Sequence, residues 1–210
     1  MKRLNIPATR SNVIRIKDEL ALARSGKELL DQKKDILISN VNLLADKADH
    51  VRQEVDRQLR QAYRALKQAL LEEGEAAVEA AGLAVRAGEQ VVIKERSLMG
   101  VVMPIVHARV PRLRPEYSLT GTGPALDRVR AHIHEVLEVI AELAELEVGV
   151  RRLLKELKKT LKRINALDHI YIPQYEATLK AMRETLEEKE REAMFKMKRM
   201  QQRQRQASPL

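Results

Sequence analysis

LDRVRAHIHEVLEVIAELAELEVGVRRLLKELKKTLKRINALDHIYIPQYEATLKAMRETLEEKEREAMFKMKRM, residues 126 to 200, decides the fold. Its apolar residues step by three and four: Leu126, Val129, Ile133, Val136, Ile140 and Leu143, then Val150, Leu153, Leu157, Leu161, Ile164 and Leu167, then Ile172, Tyr175, Leu179, Met182, Leu186, Ala193 and Met200. That is the period of a coiled-coil seam. At ~1.5 Å per residue, about 75 residues reach roughly 110 Å, far beyond the diameter of a small globular domain. A rod of that length cannot bury its seam on itself and needs a second helix of similar length.

The N-terminal third supplies one. Val13, Ile16, Leu20, Ala23, Lys27, Leu30, Lys34, Leu37, Val41, Leu44, Ala48, Val51 and Val55 follow the heptad, with Thr9 or Ser11 as the N-cap. Beyond Val55 the bulky residues step by four to Leu59 and Tyr63, then to Leu66 and Leu70, which predicts a stutter that relaxes a left-handed supercoil. Lys27 and Lys34 occupy seam positions, where each must either snorkel to water or meet a carboxylate such as Glu184, Glu187 or Glu188. Gly26 is either tolerated or allows close approach by another chain.

Between the rods the pattern changes. Glu72 to Gln90 is small-residue helical sequence punctuated by Gly74, Gly82 and Gly88, predicting a short Ala-rich helix over about 75–87. Two β-branched runs, Val91 to Ile93 and Val101 to Val106, predict a hairpin over about 90–108, with Pro104 confining its second strand to an edge. The loop to Pro124 ends on Thr122 or Gly123 as a cap, with Pro124 in the first turn of the long helix. Rods joined by so compact a connector must pair antiparallel. The expected chain is a flexible lead at 1–10, a helix at 11–71, a connector at 72–124, a helix at 125–205 kinked near Pro173, and a flexible tail at 206–210. The fold class is all-α dominated, a long antiparallel two-helix left-handed coiled coil with a short helix and a small β-hairpin at the connecting end. Folding the rods back brings together residues whose numbers sum to about 200–215, Leu30 and Leu179 among them.

Composition agrees with long helices and narrow buried stripes. There is no Trp, one Phe and four Tyr, and a third of the residues are charged. With no Cys, disulfides and thiolate chemistry are excluded, and no apolar run or signal-like leader predicts a membrane segment, so a cytoplasmic chain is expected. His132 and His134 lie two apart on a helix and point nearly opposite ways, while His50, His107 and His169 are isolated, so no metal or other cofactor is expected. GTG at 121–123 lacks the lysine of a phosphate-binding loop, and no paired carboxylates suit acid–base work. The net charge of +9 raises nucleic acid as a partner, but basic and acidic residues are interspersed and the aromatic platform for single strands is missing.

Two stretches go further. TRSNVIRIKDELALARSGKELLDQKKDIL (residues 9–37) and RINALDHIYIPQYEATLKAMRETLEEKEREAMFKMKRM (residues 163–200) resemble the terminal signatures of the D subunit, the central rotor shaft of V-type and archaeal-type ATPases. The match lies in Leu22 to Ala23, Gly26, Leu29 to Leu30, Lys33 and Asp35, then in Arg163, Asn165 to Leu167, Ile172, Pro173, Arg191, Phe195, Lys196 and Lys198. Ala8 between Pro7 and Thr9, and Asp168 in place of the commoner Glu, depart from the family pattern. The resemblance implies a non-catalytic component, peripheral to the membrane, whose terminal tip turns inside a ring of catalytic A and regulatory B subunits. Its other end would meet the C/d-type subunit capping the membrane rotor, and the F subunit would bind beside the coil. Arg10, Arg15, Phe195, Lys196, Lys198 and Arg199 would then be the ring-contacting tip. The seam itself is Val13, Ile16, Leu20, Leu30, Leu37, Val41, Leu44, Ile164, Leu167, Ile172, Tyr175, Leu179, Met182 and Leu186. A basic coiled-coil adaptor shares every physical feature of this reading and differs only in the two motifs; a nucleic-acid-binding coiled coil ranks third.

Overall fold

The computed structural model describes residues 3–84, 90–109, 117 and 122–207, with the backbone alone at 90, 108, 109 and 204–207. Among them run α1 (Arg10–Glu73), α2 (Glu75–Ala84), β1 (Gln90–Leu98), β2 (Val101–Arg109), α3 (Pro124–Ala166), a π-helical turn (Leu167–Tyr171) and α4 (Ile172–Ala207). The last part of the expected Ala-rich helix and most of the loop before Pro124 lie outside the described residues. The chain divides into two compact units, one formed by 1–35 with 158–210 and the other by 36–157.

In the terminal unit, Thr9 is the cap: its Oγ1 accepts the Asn12 N–H at 3.3 Å, satisfying one of the orphan donors of the first turn. Ile16 is fully buried with Leu179 and Met182, and Val13 and Tyr175 pack around them. The lead before the helix joins this core through Leu4, Ile6 and Ala8. The Leu4 N–H donates to Thr178 Oγ1 at 3.0 Å, and the Thr178 hydroxyl donates in turn to the Gln174 carbonyl at 2.7 Å. A buried threonine therefore ties the non-helical lead to α4.

Pro173 has no N–H for the carbonyl of His169, and its ring presses on that carbonyl. The chain answers by widening rather than breaking. The Ile172 N–H bonds to the Leu167 carbonyl, one residue farther back than in an α-helix, and the five-residue π turn ends at Tyr171, two residues before the proline.

In the connector unit the seam is carried by small residues. Ala48, Val55, Ala62 and Ala69 are buried at seven-residue intervals, so the heptad continues where a stutter was expected. Tyr63 is 67% exposed and Leu70 40% exposed, which places both outside the seam. Ala69 packs on Ala125 and Val129, and bulk would hold the two helices apart there. A similar exchange occurs on the returning helix of the terminal unit, where Thr160 is buried and Leu161 is exposed.

The register is set at this end. Gly74, at φ +85°, ends α1 in a left-handed conformation open to glycine, and Glu73 then turns its carboxylate onto the start of α3, accepting the Leu126 N–H at 3.3 Å. Negative charge at a helix N-terminus is favourable. Arg128 reaches Glu72 at 3.5 Å and Arg52 reaches Glu147 at 2.6 Å in this unit; Arg24 reaches Glu176 and Arg10 reaches Glu190, each at 2.6 Å, in the terminal unit. Partner numbers thus add to about 200, the lower limit of the expected range. Leu30 accordingly lies by Leu167 and Tyr171, and Leu179 by Ile16, so the expected pairing of Leu30 with Leu179 does not occur. The expected range ran too high because the second rod is the longer one, and the part of it beyond the Arg10–Glu190 pair extends past the start of α1.

β1 and β2 pair antiparallel around Met99 and Gly100, whose φ values of +53° and +79° are the two positive angles a type I′ turn requires. The hairpin folds back on the coil. Val101 and Met103 are buried with Leu37 and Leu153, beside Val41, Leu44, Leu98 and Leu157. Gly149 makes room for it, because a Cβ there would lie 2.7 Å from the Met103 methyl.

Acid should loosen the connector unit in a defined window. Glu54 accepts from Arg57 and Gln58, and those hydrogen bonds hold its carboxyl at about 2 against an ordinary 4.5. A depressed carboxylate stabilises the fold above its unfolded value and loses that contribution as pH falls through the folded one. Unfolding curves for the native chain and Glu54→Gln are expected to differ above pH 4.5 and to converge toward pH 2. A constant difference across that range would show the pair to be energetically idle.

Candidate functional site

The two termini share the terminal unit, and the C-terminal helix outruns its partner. Leu186 is the last half-buried seam residue, and every residue from Glu187 to Arg203 is exposed. The one described cross-helix tie in this stretch is the Arg10–Glu190 pair, where the carboxylate holds the guanidinium pKa above its ordinary value.

Apolar groups are spread around this overhang. At ~100° per residue, Ala193, Met197 and Met200 continue the line of Leu179, Met182 and Leu186, while Phe195 points to the opposite side. Phe195 is 75% exposed, and Met194, Met197 and Met200 are each more than half exposed. A helix apolar on more than one face and covered on none presents contact surface in several directions. Sequence reasoning placed Phe195 at the tip but passed over Met194.

The expected basic contacts are distributed rather than gathered. Arg15 meets Glu19 at 3.8 Å and Lys196 meets Glu192 at 3.8 Å, both along their own helix, and Lys198 and Arg199 stand exposed. Pairs of this kind are screened and exchange partners at little cost. The seam residues Val13, Ile16, Leu20, Leu30, Ile164, Leu167, Ile172, Tyr175, Leu179, Met182 and Leu186 are all buried or half-buried in the terminal unit, as are Leu37, Val41 and Leu44 in the connector unit.

The two seam lysines differ from expectation in their partners. Lys27 Nζ hydrogen-bonds Asp168 on the π turn, and this keeps the Asp168 carboxyl below its usual range. Lys34 stays on its own helix, with Asp31 at 3.1 Å and Asp35 at 3.3 Å raising its pKa. Glu184, Glu187 and Glu188 lie too far toward the C-terminus in the observed register to meet either. Lys27→Glu, which sets like charge against Asp168, should therefore destabilise the terminal unit, and Asp168→Lys in the same chain should restore most of the loss. Melting temperatures of the four chains in a double-mutant cycle measure the coupling; additive effects would remove the pair from any role in register.

Beside this pair, Leu22, Ala23, Gly26, Leu29, Leu167 and Tyr171 border an open apolar groove of about 610 Å³. A Cβ on Gly26 would meet nothing within 4 Å, so no described residue requires glycine there. Among the described residues no group of three or more His, Asp or Glu is placed to hold a metal ion, and no helix is long and apolar enough to cross a membrane.

Known proteins match this arrangement over nearly its whole length. A profile of the family of ATP synthase D subunits matches residues 12–202. The D subunit of the A-type ATP synthase of Thermococcus gammatolerans is 35% identical over 200 residues, covering 94% of each chain. That of Pyrococcus horikoshii is 34% identical over 202 residues, again 94% of each, and that of Methanoregula boonei 32% over 199 residues, 93% of this chain and 95% of its own.

Proposed function

This chain belongs to the family of ATP synthase D subunits, and from that membership we propose how its two ends are used in an A-type or V-type rotary ATPase. As a D subunit it is a non-catalytic part of the central stalk, and its work is to carry torque between the nucleotide-handling ring and the ion-translocating rotor of the membrane. The terminal tip, with Arg10, Arg15, Phe195, Lys196, Lys198 and Arg199, turns against the A and B subunits of the ring. The F subunit binds beside the coil, and the connector end meets the C/d-type subunit over the membrane rotor, on the cytoplasmic side.

The observation that carries this reading is the uncovered helix beyond Leu186. A shaft turning inside a ring meets several similar surfaces in succession, so its grip must re-form at each step. Methionine side chains adapt to changing apolar contacts, and lysine and arginine exchange carboxylate partners. A fixed adaptor would instead present one preferred face. Purifying the native assembly through this chain tests the reading: recovery of the A, B and F subunits supports it, and recovery of unrelated cargo in their place overturns it.

A further inference from the structure

In the terminal unit the returning helix keeps its seam in steps of three and four except at one place. Thr160, Ile164 and Leu167 step by four and three, and Ile172, Tyr175, Leu179, Met182 and Leu186 by three and four, but Leu167 and Ile172 are five apart. A heptad interrupted in this way carries one extra residue. The π turn Leu167–Tyr171 takes it up, because its hydrogen bonding reaches one residue farther back, and the seam is in phase again from Ile172.

The same section lacks a core. Ile16, Thr178, Leu179 and Met182 are buried on one side of it and Thr160 and Ile164 on the other, whereas residues 165–177 and residues 17–35 include no buried residue. What apolar contact remains there is half-buried and borders the open groove of about 610 Å³ beside Gly26. Among the described residues two ion pairs cross the section, Lys27 with Asp168 and Arg24 with Glu176. Such half-exposed pairs give way at little cost, while a packed seam must lose contacts to move.

A twist applied to paired helices collects where the seam is weakest, and a helix bends at a π turn. We infer that this section is the compliant joint of the shaft: under load α4 beyond Ile172 turns on the π turn while the packing around Ile16 and Ile164 holds. The attraction of Lys27 for Asp168 draws the turn back against α1 when the load is removed. Relief of Pro173 accounts for a wider turn on one helix. It does not account for the missing core along α1, nor for Gly26, which weakens a helix at a place where no described contact asks for glycine. The inference rests on the rotor reading, which supplies the load.

Two measurements test it. In the isolated full chain, the amides of residues 169–177 should exchange roughly tenfold or more faster than those of residues 160–164 and 179–182. In the reconstituted ATPase, with the ring held and a probe on the connector end, the native chain should turn with ATP and fluctuate in angle at each pause. A chain lacking Ile170 and carrying Pro173→Ala has an uninterrupted heptad, and Ile170 is 59% exposed, so the seam survives its loss. The angular variance of that chain at the pause should fall by roughly twofold or more, because the section that gives way first has been made regular. Equal variance in the two turning chains, or exchange over residues 169–177 as slow as on either side, would overturn the inference and leave the rotor reading standing. A native chain that assembles with the ring but does not turn would overturn both. If the shortened chain does not assemble, the exchange rates of the native chain decide alone.

Discussion

A chain ending at Met194, reconstituted into its ATPase, is expected to fold and to assemble but to move fewer ions per ATP hydrolysed. The residues removed are all exposed where their side chains are described, and the nearest buried cluster, Ile16 with Leu179 and Met182, lies earlier on the helix than Leu186, the last seam residue. Their loss should leave thermal unfolding of the isolated chain nearly unchanged, within ~0.5 kcal/mol, as for most exposed positions. Coupling should suffer because Phe195, Met197 and Met200 supply the adaptable apolar contact and Lys196, Lys198 and Arg199 the exchangeable charge. ATP hydrolysis belongs to the ring and should continue, so the measurement that matters is the ratio of ion transport to hydrolysis. An unchanged ratio would remove this overhang from the torque path, and a shaft gripped below Leu186 would then have to bear it.

What was legible in the sequence was periodicity, because a heptad leaves its mark in every turn of the helix. The antiparallel pairing of long helices and the small hairpin at the connecting end followed from apolar spacing, Gly and Pro. What was missed involved residues whose size or polarity hides their position. Ala62 and Ala69 hold the seam while Tyr63 and Leu70 face water, so a search for bulk found a stutter in an unbroken heptad. Thr160 and Thr178 are buried because a helix can take back a hydroxyl's hydrogen bond, as Thr178 does with the Gln174 carbonyl. The register could not be read from helix lengths alone, since in the connector unit it follows from Glu73 capping α3 and from the Ala69–Ala125 contact. The hairpin's return onto Leu37 and Leu153 was also silent. Its signal would have been Gly149, an interruption in the returning helix that only the Met103 methyl explains.

Leu37→Ala should have the largest effect on stability of any single truncation in the connector unit. Leu37 is fully buried and belongs to one cluster with Leu153 on α3 and with Val101 and Met103 on β2, so its side chain joins the coil to the hairpin. Cutting it back removes apolar burial and leaves a cavity that neither partner can close, because Leu153 is held by its own helix and Met103 is seated over Gly149. A loss of about 2–5 kcal/mol is expected on that basis, read from urea unfolding. Leu29→Ala, at a position 65% exposed, should change stability by less than about 0.5 kcal/mol and serves as the control. A second readout separates the two joined elements. The Val106 amide is bonded to Glu145 only while the hairpin lies on α3, so its exchange should quicken in Leu37→Ala even under conditions where α1 and α3 remain paired. If stability falls by the expected amount but Val106 exchange does not change, the hairpin is held by Arg152 and Glu145 alone, and Leu37 acts only within the coil. If stability falls by less than ~1 kcal/mol, well short of an ordinary leucine truncation, the cluster is not the core of this unit, and its stability must rest on the alanine seam from Ala48 to Ala69.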